Sequence, residues 1–164
     1  MKCNRRNQKG FSLIELLVVV AIILIIAAIA IPNLLQARVA ASEASAVASL
    51  RTINTAEISY NSNFPTVGFA PTLASLGGTI CAPPDQTAAC LIDSLLASGA
   101  KSGYSFMANG IGTSPAGAYF AVGLPVGSNG NRSFCSTEDG VIHYDPTGAT
   151  ISDHDSCQAL TPLQ

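Results

Sequence analysis

From Phe11 to Ile31 the chain carries a single charge, Glu15, and the last sixteen of those residues, from Leu16 on, are uninterrupted apolar side chains. As a helix rising ~1.5 Å per residue this run measures about 31 Å, the hydrocarbon thickness of a bilayer. The pattern therefore predicts a membrane-spanning helix. Four of the eight basic residues, Lys2, Arg5, Arg6 and Lys9, precede it, so the positive-inside tendency puts Met1–Gly10 in the cytoplasm and everything after Pro32 outside. A secretory signal peptide also opens on basic residues, but its apolar core is shorter and ends in a small-residue exit site. Here Pro32-Asn33-Leu34-Leu35-Gln36-Ala37-Arg38 follows instead, with helical character continuing. A plain anchor fits the length and leaves Glu15 unexplained, because a carboxylate at the centre of a span costs about 2.5–3.5 kcal/mol.

With 164 residues, the chain has room for that span and one modest domain. After Gly10 only Arg38, Arg51, Lys101 and Arg132 stand against ten acids, a net charge of −6. That balance disfavours a nucleic-acid partner, which rewards clustered Lys and Arg. Cys3 sits in the basic leader, whereas Cys81, Cys90, Cys135 and Cys157 all follow the span, an even count suited to an oxidising compartment. Three pairings are open to these four. Cys81–Cys90 and Cys135–Cys157 close short local loops, and the crossed arrangements remain possible.

Helical character continues past the span to about Tyr60. Ala40, Ala44, Val47, Leu50 and Ile53 recur at spacings of four and three, which predicts the apolar face, with Ser42, Glu43, Ser49, Arg51, Asn54 and Glu57 mostly elsewhere around the axis. Pro32 lacks the N–H for the carbonyl of Ala28, so a bend or local melting is expected there. Asn61-Ser62-Asn63-Phe64-Pro65 ends the helix. A short helix is expected over Leu91–Ser98, with Ile92, Leu95 and Leu96 sharing a face and Gly99 closing it. Strands follow at Tyr104–Ala108, Ala118–Leu124, Arg132–Ser136 and Val141–Tyr144, separated by turns at Glu138-Asp139-Gly140 and Asp145-Pro146-Thr147-Gly148. One long helix, a loop region and a small antiparallel sheet packed on the helix's exported half make an α+β fold.

The stretch Gly10-Phe11-Ser12-Leu13-Ile14-Glu15, with a basic leader before it and the apolar run and Pro32 after it, closely resembles the type IV prepilin family of pilus subunits and type II secretion pseudopilins. The resemblance implies that a membrane prepilin peptidase cuts after Gly10 and N-methylates Phe11. It makes Glu15 the assembly residue, answering the new α-amino group of a neighbouring chain, and it implies a C-terminal loop bounded by a Cys135–Cys157 disulfide. The chain then reads as a leader (1–10), a filament-core helix (11–31), an amphipathic continuation (32–60), a connecting region (61–102) and a head with its disulfide-bounded end (103–164). Implied partners are further copies in a helical filament, the peptidase, and an inner-membrane assembly platform with its ATPase. Implied locations are the bacterial inner membrane, then an extracellular pilus.

Two other readings stand beside a pilus subunit: a secretion or DNA-uptake pseudopilin in a short periplasmic filament, and a singly anchored periplasmic binding module or enzyme. Catalysis has little to rest on, since no G-x-S-x-G elbow occurs and the two histidines lack a partner set. No cofactor is expected. Asp153 and Asp155 are weak candidates for a calcium site, without the twelve-residue calcium loop.

Overall fold

The computed structural model describes residues 10–78 and 83–163. They form α1 (Leu13–Asn63), α2 (Leu73–Leu76), α3 (Ser94–Ala97), β1 (Ala100–Lys101), β2 (Tyr104–Ile111), β3 (Ala118–Pro125), β4 (Ser133–Thr137), β5 (Ile142–Asp145), α4 (His154–Gln158) and β6 (Thr161–Pro162). The chain divides into two compact units, one ending at Ala37 and the other running from Arg38 to Gln164.

In the first unit α1 is long and apolar enough to cross a membrane, and none of its apolar window is buried within the chain. Helix continues through Pro32, so the local melting expected there is not observed. The ring removes one backbone bond, and the absence of glycine on either side lets the flanking turns absorb that loss.

The second unit pairs the rest of α1 with a six-stranded antiparallel sheet whose strands lie in chain order, β1 to β6. Four of these strands match the runs read from the sequence. The two-residue edges β1 and β6 do not, being too short for any alternation to show. Register is carried mainly by β2 and β3, paired from Tyr104↔Pro125 to Ile111↔Ala118. Successive β3 side chains enter different clusters, as the two-residue period of a strand requires. Tyr119 and Ala121 pack with Leu50, Ile53 and Tyr60 of α1, whereas Phe120 and Val122 pack with Cys135, Ile151 and Cys157 on the other face. The sheet is thus a middle layer.

Two turns follow their sequence signals. Gly140, at φ 72°, donates its N–H to the Thr137 carbonyl at 2.9 Å and closes the β4–β5 hairpin. Asp145 Oδ1 accepts the Thr147 N–H at 2.8 Å in the turn after β5. Gly68 is required for a different reason. Its φ is +84°, and a Cβ there would lie 2.2 Å from the Ala116 carbonyl oxygen. The short helix before the sheet is tighter than expected: Asp93 caps it by accepting the Leu96 N–H at 2.8 Å. Ile92 therefore lies outside the helix, and Leu95 is exposed rather than sharing a buried face.

The apolar stripe on the second half of α1 needs correcting. Ala40 and Ala44 are exposed, and the buried residues are Glu43, Ala46, Ser49, Leu50, Ile53, Asn54, Ala56, Glu57 and Tyr60. Alanine is indifferent to burial, and the polar members of this stripe are accommodated by partners far away in sequence. Glu43 accepts the Asn131 N–H at 3.0 Å and the Arg132 Nε–H at 2.8 Å, and Arg132 also packs against the Phe134 and Tyr144 rings. Asn54 donates to Ser136 Oγ at 2.8 Å, and Glu57 accepts the Ala70 N–H at 2.8 Å.

The Glu43–Arg132 pair yields a prediction. Arg132→Ala removes the cation from a carboxylate that is 6% exposed. Breaking such a pair costs about 3 kcal/mol, the low end of the buried range because the arginine is partly solvated. Thermal unfolding of the detergent-solubilised full-length chain measures it, and an unchanged midpoint would show that the pair contributes nothing to the head.

Candidate functional site

Gly10 and Phe11 lie just ahead of α1, both exposed, and no atom comes within 4 Å of the position a Gly10 Cβ would take. Ser12 follows as the helix N-cap: its carbonyl accepts the Leu16 N–H at 3.3 Å. Three residues on, Glu15 Oε2 accepts the Ser12 N–H at 3.0 Å. That is the carboxylate arm of a capping box, and a negative charge in the first turn also suits the positive end of the helix dipole. The signal S-x-x-E was present as Ser12-Leu13-Ile14-Glu15. Glu15 therefore has a local partner within the chain. Phe11, Ile14, Glu15, Val18 and Val19 line one shallow cavity at the helix start, and among the described residues Glu15 has the Ser12 N–H as its hydrogen-bond partner.

Phe11 is 83% exposed and Leu13 80%, and the apolar residues from there to Leu35 are nearly all uncovered. Pro32 lies within this exposed stretch. The arrangement presents a glycine–phenylalanine bond open to an enzyme, a carboxylate held at a helix start, and an apolar surface with no cover of its own.

At the other end of the chain, Cys135 in β4 and Cys157 in α4 form a disulfide with Cα atoms 6.0 Å apart, tying α4 to the sheet. Cys90 is also disulfide-bonded, and Cys81 falls outside the described residues. Asp153 and Asp155, the weak calcium candidates, have other contacts. Asp153 is the N-cap of α4, its Oδ1 accepting the Ser156 N–H at 2.8 Å. Asp155 Oδ1 lies 3.1 Å from His154 Nδ1. Among the described residues no group of three or more His, Cys, Asp or Glu is placed to hold a metal ion.

His154, for which the sequence offers no convincing partner set, has one in the fold. Its Nε2 lies 2.9 Å from Glu138 Oε2 in the β4–β5 turn, so it clasps α4 to the hairpin from one side while Asp155 holds the other ring nitrogen. The hydrogen bonds to Asp155 and then to Glu138 raise its pKa above the ordinary value. Adjacent acids, Asp153 and Asp155, were visible in the sequence, but Glu138 lies sixteen residues away and only the hairpin brings it near.

A glycine–phenylalanine junction thus stands ahead of a capped glutamate and an uncovered apolar helix, and a disulfide ties the end of the antiparallel head. Residues 5–31 match the family described as the prokaryotic N-terminal methylation motif. The chain is 60% identical over 45 residues to the type IV wide pilus major component PilA4 of Thermus thermophilus, covering 27% of this chain and 34% of that protein. It is 44% identical over 75 residues to the type IV major pilin protein PilA of Myxococcus xanthus, covering 42% of this chain and 34% of that one. The matches span about a third of the length of each relative. Over its N-terminal segment the chain is thus similar to type IV pilins and carries their methylation motif.

The His154 clasp makes a pH prediction. A folded-state pKa raised above that of the unfolded chain means that the clasp's contribution is fully present below about pH 6.5 and is lost as pH rises through the folded value. Ring NMR of His154 in the solubilised full-length chain is expected to titrate above that ordinary value. Asp155→Asn or Glu138→Gln should bring the midpoint down, and a midpoint insensitive to both would contradict the clasp.

Proposed function

We propose that this chain is the structural subunit of a type IV pilus or a closely related filament. It is made as a membrane-anchored precursor, cut after Gly10, N-methylated at Phe11 and polymerised through α1. In this reading residues 1–10 are the leader, 11–31 the filament-core segment, and the remainder the outward part of the subunit, outside the inner membrane. The observation that carries it is the join of cut site to assembly residue. Gly10–Phe11 is exposed, and Glu15 follows in the first turn of a helix whose apolar window is uncovered. Names of both relatives refer to pilus or pilin major components, which favours a pilus over a secretion pseudopilus.

The mechanism follows from charge. In lipid Glu15 has only a backbone N–H against its carboxylate, and a charge at that depth costs a few kcal/mol. Cutting after Gly10 creates an α-amino group with an ordinary pKa near ~7.7–8.0, cationic at neutral pH. An incoming chain's amine can reach the free Glu15 oxygen, neutralising both charges where the dielectric is low and the attraction correspondingly strong. Helices withdrawn from lipid gain packing against one another at the same step. The charge pair fixes axial register, and the apolar helices supply contact area. The peptidase, assembly platform and ATPase are the partners this route requires.

Glu15→Val is expected to leave membrane insertion intact and reduce filament yield at least tenfold, measured by shearing fibres from cells and quantifying the subunit. Mass spectrometry of the native protein should find an N-terminus at methylated Phe11. An intact Met1 would rule the proposal out, and Gly10 replaced by a bulky residue should leave the precursor uncut.

A further inference from the structure

Two carboxylates of α1 are buried on one face of the helix, fourteen residues and close to four turns apart, and the fold treats them differently. Glu43 is neutralised by the Arg132 guanidinium. Glu57 is 0% exposed, and among the described residues no cation acts on it. Its Oε2 accepts the Ala70 N–H, and its Oε1 has no hydrogen-bond partner. The neighbours are neutral or acidic from every side. On its own helix stand Asn54, one turn earlier with an unpartnered Oδ1, and Tyr60. From β3 comes the Tyr119 hydroxyl, which registers the charge of Glu57 and has the Ser136 hydroxyl of β4 near it. Further acids act on those phenols: Asp85 on Tyr60, and Asp139 and Glu138 on Tyr119.

A buried carboxylate with no cation can be neutralised only by a proton. We propose that Glu57 is a proton-binding site of the head, and that its occupancy controls how firmly the Phe64–Thr72 loop is docked between α1 and β2. The connection is made by one residue. Ala70 donates its N–H to Glu57 and its carbonyl accepts the Gly110 N–H of β2 at 2.7 Å. With the proton on Oε1, a neutral carboxyl holds Ala70 through Oε2, and Asn54 Oδ1, one turn earlier on α1, is an acceptor without a hydrogen-bond partner among the described residues. Once the proton leaves, the charge can be relieved only by water, and admitting water means loosening the loop from the helix.

Burial pushes the Glu57 pKa up to about 7, the Ala70 hydrogen bond opposing that rise. An acid whose folded value lies above its unfolded value gives a contribution present below the unfolded value, near 4.5, and lost as pH climbs to the folded one. Between pH 5.5 and 8 the unfolding equilibrium constant should therefore rise roughly 30-fold from this site. His154 on the other face of the sheet contributes in the same direction, so the test carries a His154→Asn background.

Unfolding of the detergent-solubilised full-length chain is followed at both pH values, for this background with and without Glu57→Gln. Amide exchange of residues 64–72, corrected for the intrinsic pH effect, is measured alongside. The glutamine keeps an acceptor for Ala70 and cannot ionise. With Glu57 the loop should exchange faster at pH 8 and stability should fall; with glutamine both should stay level. Equal falls in the two proteins would overturn the proposal. Should the glutamine protein not fold, infrared spectroscopy of the full-length chain carrying Glu15→Gln decides the matter. A protonated-carboxyl band is expected at pH 6 and should be gone at pH 8, and a chain fully ionised at pH 6 would refute it. None of these readouts depends on filament formation, so their failure and that of the pilus reading are separable.

Discussion

A helix whose first seven turns have no side-chain cover requires a surrounding other than water, and every other feature of this protein is arranged around that requirement. The same element, α1, is apolar all round through the first unit and two-faced in the second, where one side meets a sheet. Its changing composition divides the chain into a part whose apolar surface is uncovered and a part that makes its own core. Glu15 stands at the start of the first part and Glu43 and Glu57 in the second. Each of the three carboxylates meets a different kind of partner. A helix cap serves Glu15 within the chain, a guanidinium serves Glu43, and a lone amide serves Glu57.

The fold was legible wherever local pattern and tertiary outcome coincide. Strands β2 to β5 were found because alternation and turn residues agree, as at Thr137 to Gly140, and the span because sixteen apolar residues admit few other uses. The N-terminal motif is read from local pattern as well. Its elements are consecutive, so their spacing in sequence is nearly their spacing in space. Glu15 there also serves the helix start, a local role that the cost of a charge in lipid does not reveal.

What was not legible depended on distant partners. Glu43 reads as a solvated residue until Arg132, 89 positions later, is folded onto it, and Glu57 until Ala70 arrives. Periodicity ranks side chains by polarity and has no access to such partners, so it chose Ala40 and Ala44 for the buried stripe in place of two acids. His154 was similarly hidden, its role set by a hairpin that brings Glu138 alongside.

The sheet buries β3 on both faces: α1 packs against one, and the segment carrying Ile151 and Cys157 covers the other. These two linings share strands but no side chains. The C-terminal cover, pinned by its sulfur bridge, can accordingly diverge in shape and chemistry while the helix-facing lining keeps its fit. Such a division gives a lineage freedom to redesign the exterior without renegotiating the interior.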